Sequence, residues 1–506
     1  MMNDTLIRNR IHGIASICLL VAGSIMVMPP AVTRASDENT AATPGITNVK
    51  ADPDVLHLDL PGSLLMAFQH NSSFQVDRLQ PGITATYEQQ ARAEFDPAVT
   101  GTLLGIEYEG GEEDISGGDS LGVGATVTEL LPSGTSLEIG VNRFPASSSI
   151  PVSERYDVTI TQALLRGGGT SANLARLRQA RLDTDISNYE LKGIAESLAA
   201  ETEKAYWNCI LATQSITIYE KSLEIAERQQ AETRERIRLG ILSENESVAV
   251  EAELAGRLES LIDARSSLAR NRLQLLRLIN PGGPAPFTRT LDLTEPIRSS
   301  REENLDSVEA HVALGLKQRA DLNQARLLAN RGTLELVRTS NGILPKLDLF
   351  VRLGGSRYAE SFNGLDGNEW AHEIEAGISF QYPFRNRSAA AADTRARLSS
   401  EQSAGALTNM LQLAEIDIRS AYIEVSRSRA QIEATEATRR LREETYQTEL
   451  TKLRIGKSTS LLVAEASRNL VESEIACIGA AIAYRQALLE LYRSEGSLLE
   501  RRGIQF

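Results

Sequence analysis

The sequence predicts an α+β membrane protein of two structural repeats per chain, in which very long helices alternate with amphipathic strands. Three observations carry that expectation. A proline-free, helix-forming stretch occurs twice, from Ser171 to about Asn280 and from Ala389 to about Ser494. With Ala205-Tyr206 laid on Ala421-Tyr422, 216 residues further on, Ile216 falls on Ile432, Leu254 on Leu470 and Gly240 on Gly456 without a gap, as an internal duplication requires. The segments between the helical stretches carry apolar residues with period two, and a basic, then apolar, N-terminus precedes everything.

Residues 1–35 read as a signal peptide: Arg8 and Arg10, an apolar run from Ile14 to Met28, then Thr33-Arg34-Ala35 with small residues at the cleavage positions. The run, about 15 residues, falls short of the roughly 20 that a spanning helix needs. Residues 36–62 are polar, carry Pro44 and Pro53, and read as a flexible leader. The first repeat is assigned to residues 63–280, a linker with Pro281-Gly282-Gly283-Pro284 and Pro296 to 281–303, the second repeat to 304–496 and a tail to 497–506.

Helix is expected from Ser63, broken at Asn71-Ser72-Ser73 and again at Pro81-Gly82. After Phe95-Asp96-Pro97 the period becomes two. Leu104, Ile106 and Tyr108 are expected on one face of the first strand, followed by Val123, Ala125, Val127, then Leu137, Ile139, Val141, then Tyr156, Val158, Ile160. The second half repeats the pattern in Leu347, Leu349, Val351, Leu353 and in Ile374, Ala376, Ile378, Phe380, Tyr382, against Asp348, Arg352, Glu373 and Glu375. Strands apolar on one side and charged on the other suit an outer-membrane barrel. A half-buried soluble sheet alternates equally well, and the signal peptide favours the barrel. Gly110 to Ser120, Phe144 to Glu154 and Ser356 to Asn368 read as loops. Ser171 to Arg238 makes a helix of roughly 100 Å, and the return from about Ser247 to Asn280 covers about 50 Å of it. Ser63 to Ala93 and Asn304 to Ser340 have the length to cover the far half.

Removing residues 1–35 leaves 50 basic and 66 acidic residues, a formal charge of −16, which disfavours nucleic acid as a partner. Cys209 and Cys477 sit in helical stretches and read as buried free thiols, and Cys18 lies in the apolar run. No metal-ligand spacing or cofactor motif follows from them or from the scattered His12, His57, His70, His311 and His372. The paired carboxylates Glu112-Glu113 and Glu302-Glu303 sit in acidic runs, and no catalytic motif occurs. The enzyme class is therefore set aside.

Several short motifs punctuate this order. Arg319-Ala320-Asp321-Leu322 opens the second repeat, and Leu344-Pro345-Lys346-Leu347 and Phe95-Asp96-Pro97 open the strands. Gln162-Ala163-Leu164-Leu165-Arg166-Gly167 and Gln381-Tyr382-Pro383-Phe384 close them, and Arg238-Leu239-Gly240 and Arg454-Ile455-Gly456 mark the helical reversals. In order and duplicate spacing they resemble the TolC-like outer membrane efflux protein family over essentially the whole mature chain. That resemblance implies a homotrimer: a trimeric outer-membrane β-barrel continued by a long periplasmic α-helical barrel, in the cell outer membrane of a diderm bacterium. It implies a passive exit duct of a tripartite efflux or type I secretion system, partnered by a periplasmic adaptor (membrane fusion) protein, an inner-membrane pump and outer-membrane lipid.

The resemblance further implies that Arg238, Leu239, Gly240, Ser243, Arg454, Ile455, Gly456 and Thr459 form adaptor-docking tips. Family members carry two acids six and nine residues past the second tip glycine; here Leu462 and Glu465 stand there, so Glu465, with Glu246 of the first repeat, is the candidate gate acid. Four strands per chain would give twelve in a trimer, while the additional alternating segments around Pro132-Ser133-Gly134-Thr135 either form an extracellular hairpin or enlarge the barrel to eighteen. The smaller barrel is the expectation. The competing class is a soluble secreted helical coiled-coil scaffold, which accounts for the helices but not for the signal peptide or the strands. Drug, metal ion and polypeptide remain open as cargo.

Overall fold

The computed structural model describes residues 55–107, 119–144, 152–282, 286–293, 305–359 and 370–505. The signal peptide, the leader as far as residue 54, the two acidic pairs and most of the strand-connecting loops lie outside them. Two helical hairpins dominate. The first long helix, Ala175–Arg238, has 64 residues and the second, Arg387–Arg454, has 68. Each return helix, Asn245–Ile279 and Ser460–Ser494, has 35. Both long helices end on the equivalent arginines of the duplication. Helix formers fill them, and pairs such as Arg228–Glu224, Arg236–Glu232 and Arg427–Glu424 lie along their exposed faces, each worth about 0.3–0.5 kcal/mol.

The far half of each long helix is covered as its length demands. Before the first strands the chain forms helices Leu60–His70, Ser72–Asp77 and Gln80–Arg92. Asn71 makes the expected break: its side chain accepts from the Phe74 amide and donates to the Leu278 carbonyl. Pro81 stands in the first turn of the third helix, where a proline has no hydrogen bond to lose. Ala91 of that helix packs on Leu177 and Ala180 of the long helix. Helices Val308–Gln318 and Ala320–Ile343 do the same in the second repeat. At their break Arg319 bridges Asp321 at 2.8 Å and Asp417 at 3.1 Å.

The apolar core is a belt halfway along the helices. Tyr206, Trp207, Leu275, Ile279, Ile418, Val425, Ile482 and Leu491 are buried there. The tail beyond the second repeat belongs to it: Leu498 and Leu499 are buried, and Arg502 pairs with Glu203 at 2.6 Å. His311 and Glu495, both buried, meet at 2.5 Å. Cys209 is buried as expected and burial pushes its thiol up to about 12, whereas Cys477 is only half-buried. Leader and linker contribute a strand pair the sequence reading did not foresee, since β1 (Val55–Leu58) lies parallel to β6 (Thr290–Leu293) and His57 faces Asp292 across it. Each strand has four residues, too few for a periodicity to register.

The remaining strands form one six-stranded sheet in the order β2-β3-β4-β5-β7-β8. Their spans are β2 Ala98–Glu107, β3 Asp119–Leu130, β4 Thr135–Phe144, β5 Val152–Ala163, β7 Lys346–Ala359 and β8 Ala371–Gln381. This corrects the expectation of four strands per chain. The segments around Pro132-Ser133-Gly134-Thr135 are not a separate hairpin, because Glu129 and Leu137 pair within a continuous ladder and β4 pairs with β5 along its whole length. Gly134, at φ +84°, makes the tight turn that closes β3 on β4. A second correction concerns phase. Leu103, not Leu104, stands opposite Val123, so Leu103 shares the apolar face while Leu104 stands opposite Gly122. In a strand with leucine at both positions, only the pairing partner decides.

Glu196, on the first long helix, is 6% exposed and lies 3.9 Å from Lys192. Burial pushes its carboxyl up to about 7, with the nearby Asp321 adding to the rise against the pull of Lys192. The fold favours the protonated acid. Its stabilisation is complete below the ordinary value of 4.5 and is lost as pH rises through about 7. Glu196→Gln is therefore expected to stabilise the helical part by about 2–3 kcal/mol at pH 8 and to leave it unchanged at pH 4. Chemical denaturation followed by helical circular dichroism at both pH values checks this.

Candidate functional site

The sheet presents two chemically distinct faces. On one, register aligns Val127, Ile139, Val158, Leu353 and Ile374 across five strands. Leu349, Ile378 and Phe380 continue this face toward the helices, and Ile374, Ile378 and Phe380 are 77%, 67% and 65% exposed. An apolar face that none of the described residues covers needs an apolar surrounding. Aromatic residues border it at both ends: Phe380, Tyr382 and Phe384 near the helices, Trp370 and Tyr156 at the remote end. Ten residues of β8 separate Trp370 from Phe380, about 33 Å along a strand and about 25 Å once tilted as barrel strands are. That is the height of a bilayer's apolar band.

The opposite face is polar. Arg352 ion-pairs with Glu375 at 3.2 Å and reaches Thr159, Lys346 pairs with Asp348 at 3.2 Å, and Glu138, Asp157 and Glu373 share that side by register. Among the described residues the outer strands β2 and β8 are each paired on one side only.

At the other pole of the molecule both hairpins reverse through the same backbone device. Ile241 donates to Arg236 and Gly240 to Ile237; Lys457 donates to Lys452 and Gly456 to Leu453. Each is the paired bond of a helix ending on a left-handed residue, and Gly240 and Gly456 have φ of +74° and +73°. Arg238, Leu239, Gly240, Ser243, Arg454, Ile455, Gly456 and Thr459 are all exposed. Their roles divide locally. Arg238 pairs with Glu235 at 2.6 Å, and Thr459 caps the second return helix by accepting from the Leu462 amide. Leu239, Ile241, Ile455 and Leu461 leave apolar surface at the tips.

The two candidate gate acids lie on different return helices. Glu246 stands in the first turn of the first, where the helix dipole favours a carboxylate. Glu465 is exposed on the second, near Arg468, whose guanidinium pKa is raised chiefly by its hydrogen bond to Glu253 and least by Glu465. The structure brings no ion pair or hydrogen bond to either carboxylate among the described residues. Next to them it assembles a group that sequence reasoning missed. Glu253, 9% exposed, accepts from Arg257 of its own helix and Arg468 of the other return helix, both at 2.7 Å. Arg257 in turn reaches Ser467. The i,i+4 spacing of Glu253 and Arg257 was visible in the sequence; the link to Arg468 is between repeats and leaves no local signal.

Comparison with known proteins supports this picture. Residues 312–497 match the family described as outer membrane efflux protein, which bears out the resemblance drawn from the motifs. No curated protein matches the chain. Among solved structures the fold is similar to the CmeC outer membrane channel of Campylobacter jejuni, with 14% identity, a TM-score of 0.65, and coverage of 87% of this chain and 86% of that one. It is similar also to the outer membrane protein VceC of Vibrio cholerae, at 17% identity and TM-score 0.64 over 86% of this chain and 96% of that one. The MtrE outer membrane channel of Neisseria gonorrhoeae gives 18% identity and TM-score 0.61 over 87% and 89%. The matched family and the three structures are of the outer membrane, the localisation expected from the alternating strands.

The tip glycines contrast with a third left-handed glycine. Nothing lies within 4 Å of a methyl group placed on Gly240 or Gly456, whereas on Gly496 it would meet the Arg319 backbone at 3.0 Å. Gly240→Ala and Gly456→Ala are expected to cost about 1 kcal/mol each, local to the tips. Gly496→Ala, which must also push the Arg319 backbone aside, is expected to cost upwards of about 2 kcal/mol. Denaturant midpoints of the three variants check the order.

Proposed function

We propose, from a chain whose second repeat matches the outer membrane efflux proteins, that this protein is a passive exit duct: three copies pool their sheets into one outer-membrane barrel continued by a helical tunnel. The observation that carries this is the six-stranded sheet itself, apolar on one face, polar on the other and unpaired at both edges. Backbone groups at an open edge have no water to bond in hydrocarbon. β2 of one copy has a natural partner in β8 of the next, with ten and eleven residues respectively. Three six-stranded sheets then close eighteen strands around a lumen faced by Arg352, Glu375, Asp157 and Glu138. The soluble scaffold leaves the exposed apolar face without a purpose.

No step of the reading requires catalysis or a cofactor. A duct moves nothing uphill, so the energy comes from an inner-membrane pump joined through a periplasmic adaptor. The tips suit such docking: they are exposed, apolar at Leu239, Ile241 and Ile455, and reversed by glycines that keep the turn tight. The relatives named as outer membrane channels support the same role.

Two measurements test this. Native mass of the protein extracted in mild detergent is expected to be that of three chains; a monodisperse monomer that conducts ions would sink the proposal. The second concerns Glu465, whose three copies around a narrow bore would attract cations. Glu465→Gln is expected to lower cation selectivity in single-channel recordings about two- to threefold, whereas unchanged selectivity and conductance would remove Glu465 from the bore.

A further inference from the structure

A cavity of about 490 Å³ opens beside the apolar belt, where the two repeats meet. Its wall is shared by the first long helix, the joint at Arg319, the second long helix and the second return helix. Most of its charges are already matched. Arg319 bridges Asp321 and Asp417, and Arg493 pairs with Glu490. Glu196 is the exception. It is 6% exposed, and its Oε1 has no hydrogen-bond partner among the described residues. Lys192, one turn earlier, comes only to 3.9 Å of that oxygen and donates instead to the Gln318 carbonyl at 3.4 Å. A buried carboxylate oxygen left unmet works against folding. The same wall carries a second cost. Gly193 is the one glycine in the 64-residue helix Ala175–Arg238, and a glycine inside a helix is destabilising relative to alanine. Packing among the described residues does not ask for it, since a methyl group there would meet only the Ala320 methyl, at an ordinary 3.8 Å.

We propose that this cavity takes a small primary amine in its ammonium form, with Glu196 as the counter-charge. Charge comes first. Four carboxylates (Glu196, Asp321, Asp417 and Glu490) line the cavity against the two guanidiniums of Arg319 and Arg493. Lys192 beside Glu196 offsets one charge more, and the site stays net negative when Glu196 is ionised. Hydrogen bonding comes second. An ammonium brings three donors and no acceptor, which is what the Glu196 Oε1 lacks, and the Ser197 and Ser420 hydroxyls on the same wall can accept the others. Size comes third. The volume lies in the range of small-molecule sites, and Gly193, Ala320 and Ala421 offer CH surface to a short aliphatic body. A metal ion fits less well, because among the described residues no three His, Cys, Asp or Glu side chains gather to hold one. Protonation of Glu196 sets the pH dependence. Burial holds its carboxyl up at about 7, against the pull of Lys192, Arg493 and Arg319 and with Asp321 adding to the rise. The ammonium needs the ionised form, so binding strengthens as pH rises through about 7 and releases a proton near neutrality. An alkyl ammonium titrates near pH ~10, like lysine, and keeps its charge throughout.

The test uses the full chain in non-ionic detergent, titrated calorimetrically with butylamine. Binding is expected to be at least tenfold tighter at pH 8 than at pH 5.5. At pH 7 the heat is expected to vary with the ionisation enthalpy of the buffer, as proton release requires. Glu196→Gln, which keeps the side chain's shape, should abolish binding at both pH values. Gly193→Leu, which fills the recess in the wall, should weaken binding at least tenfold with helical circular dichroism unchanged; if that variant does not fold, Glu196→Gln decides. No binding to the unaltered chain, affinity independent of pH, or binding retained in either folded variant overturns the site. Tetramethylammonium, which carries the charge without an N–H, and Mg²⁺ serve as controls. Either one binding as tightly as butylamine overturns the assignment to an amine. Conduction plays no part in these readouts, so a failure here leaves the duct untouched.

Discussion

A β-strand surrounded by hydrocarbon must pair its backbone on both sides, and among the described residues one chain of this protein leaves two strand edges unmet. Much else in the structure answers to that constraint. Six strands twisted as sheets twist cannot close on themselves into a wide barrel, which is why the proposed duct hands closure to neighbouring copies. In that proposed assembly the two edge strands are the most consequential interface, although in a single chain they look like ordinary ends. Their matched lengths and their exposed apolar side chains are what a sheet destined for continuation would need.

The helical part solves a different problem by duplication. A helix of roughly 100 Å cannot find a globular core large enough to bury one side of it. It is instead covered piecewise, by a return helix toward the tip and by short helices toward the sheet, twice over. The joints between pieces fall in the middle, and there the apolar belt of Tyr206, Trp207, Leu275, Ile418 and Leu491 gathers. Truncating one of its large aromatic side chains would cost about 3–5 kcal/mol, far more than any exposed ion pair along the helices. The C-terminal residues and the β1–β6 strand pair add their contacts at this level, and Gly496 lets the chain pass the Arg319 joint closely. The belt is thus the rigid collar from which both poles extend.

How much of this the sequence revealed depends on the range of the interaction responsible. Helices, reversals and the gapless 216-residue offset come from propensity and local backbone chemistry, and Gly240, Gly456, Asn71 and Pro81 all sit where local rules put them. Strand existence was legible from alternation. Strand number and phase were not, because both depend on which neighbour pairs: Leu103 and Leu104 are equivalent until Val123 chooses between them. The tips were recognisable as reversals, while the Glu253–Arg468 link joins residues in different repeats and has no periodic signature. The same holds for Arg143, Glu154 and Arg357, which the chain scatters over more than two hundred positions and the ladder lines up in one row.

Low aromatic content suits the wall of the tube that the proposed trimer would form. A tube wall is wetted on its inner and outer sides, so a long helix within it can bury only the narrow stripes that touch its two neighbours. Ala and small polar residues let those neighbours approach, and Arg–Glu pairs cover what remains. Burial per residue is accordingly thin away from the belt, and in the proposed trimer part of what the single chain leaves exposed would be contact surface for the next copy. In the proposed trimer, folding of the long helices and association of the three chains would draw on the same apolar area. Stability in such a system is inseparable from assembly, and the exposed stripes along both hairpins, Ile225, Leu258, Ile262, Leu413, Ile416 and Ile423, are the expected consequence and not a defect of packing.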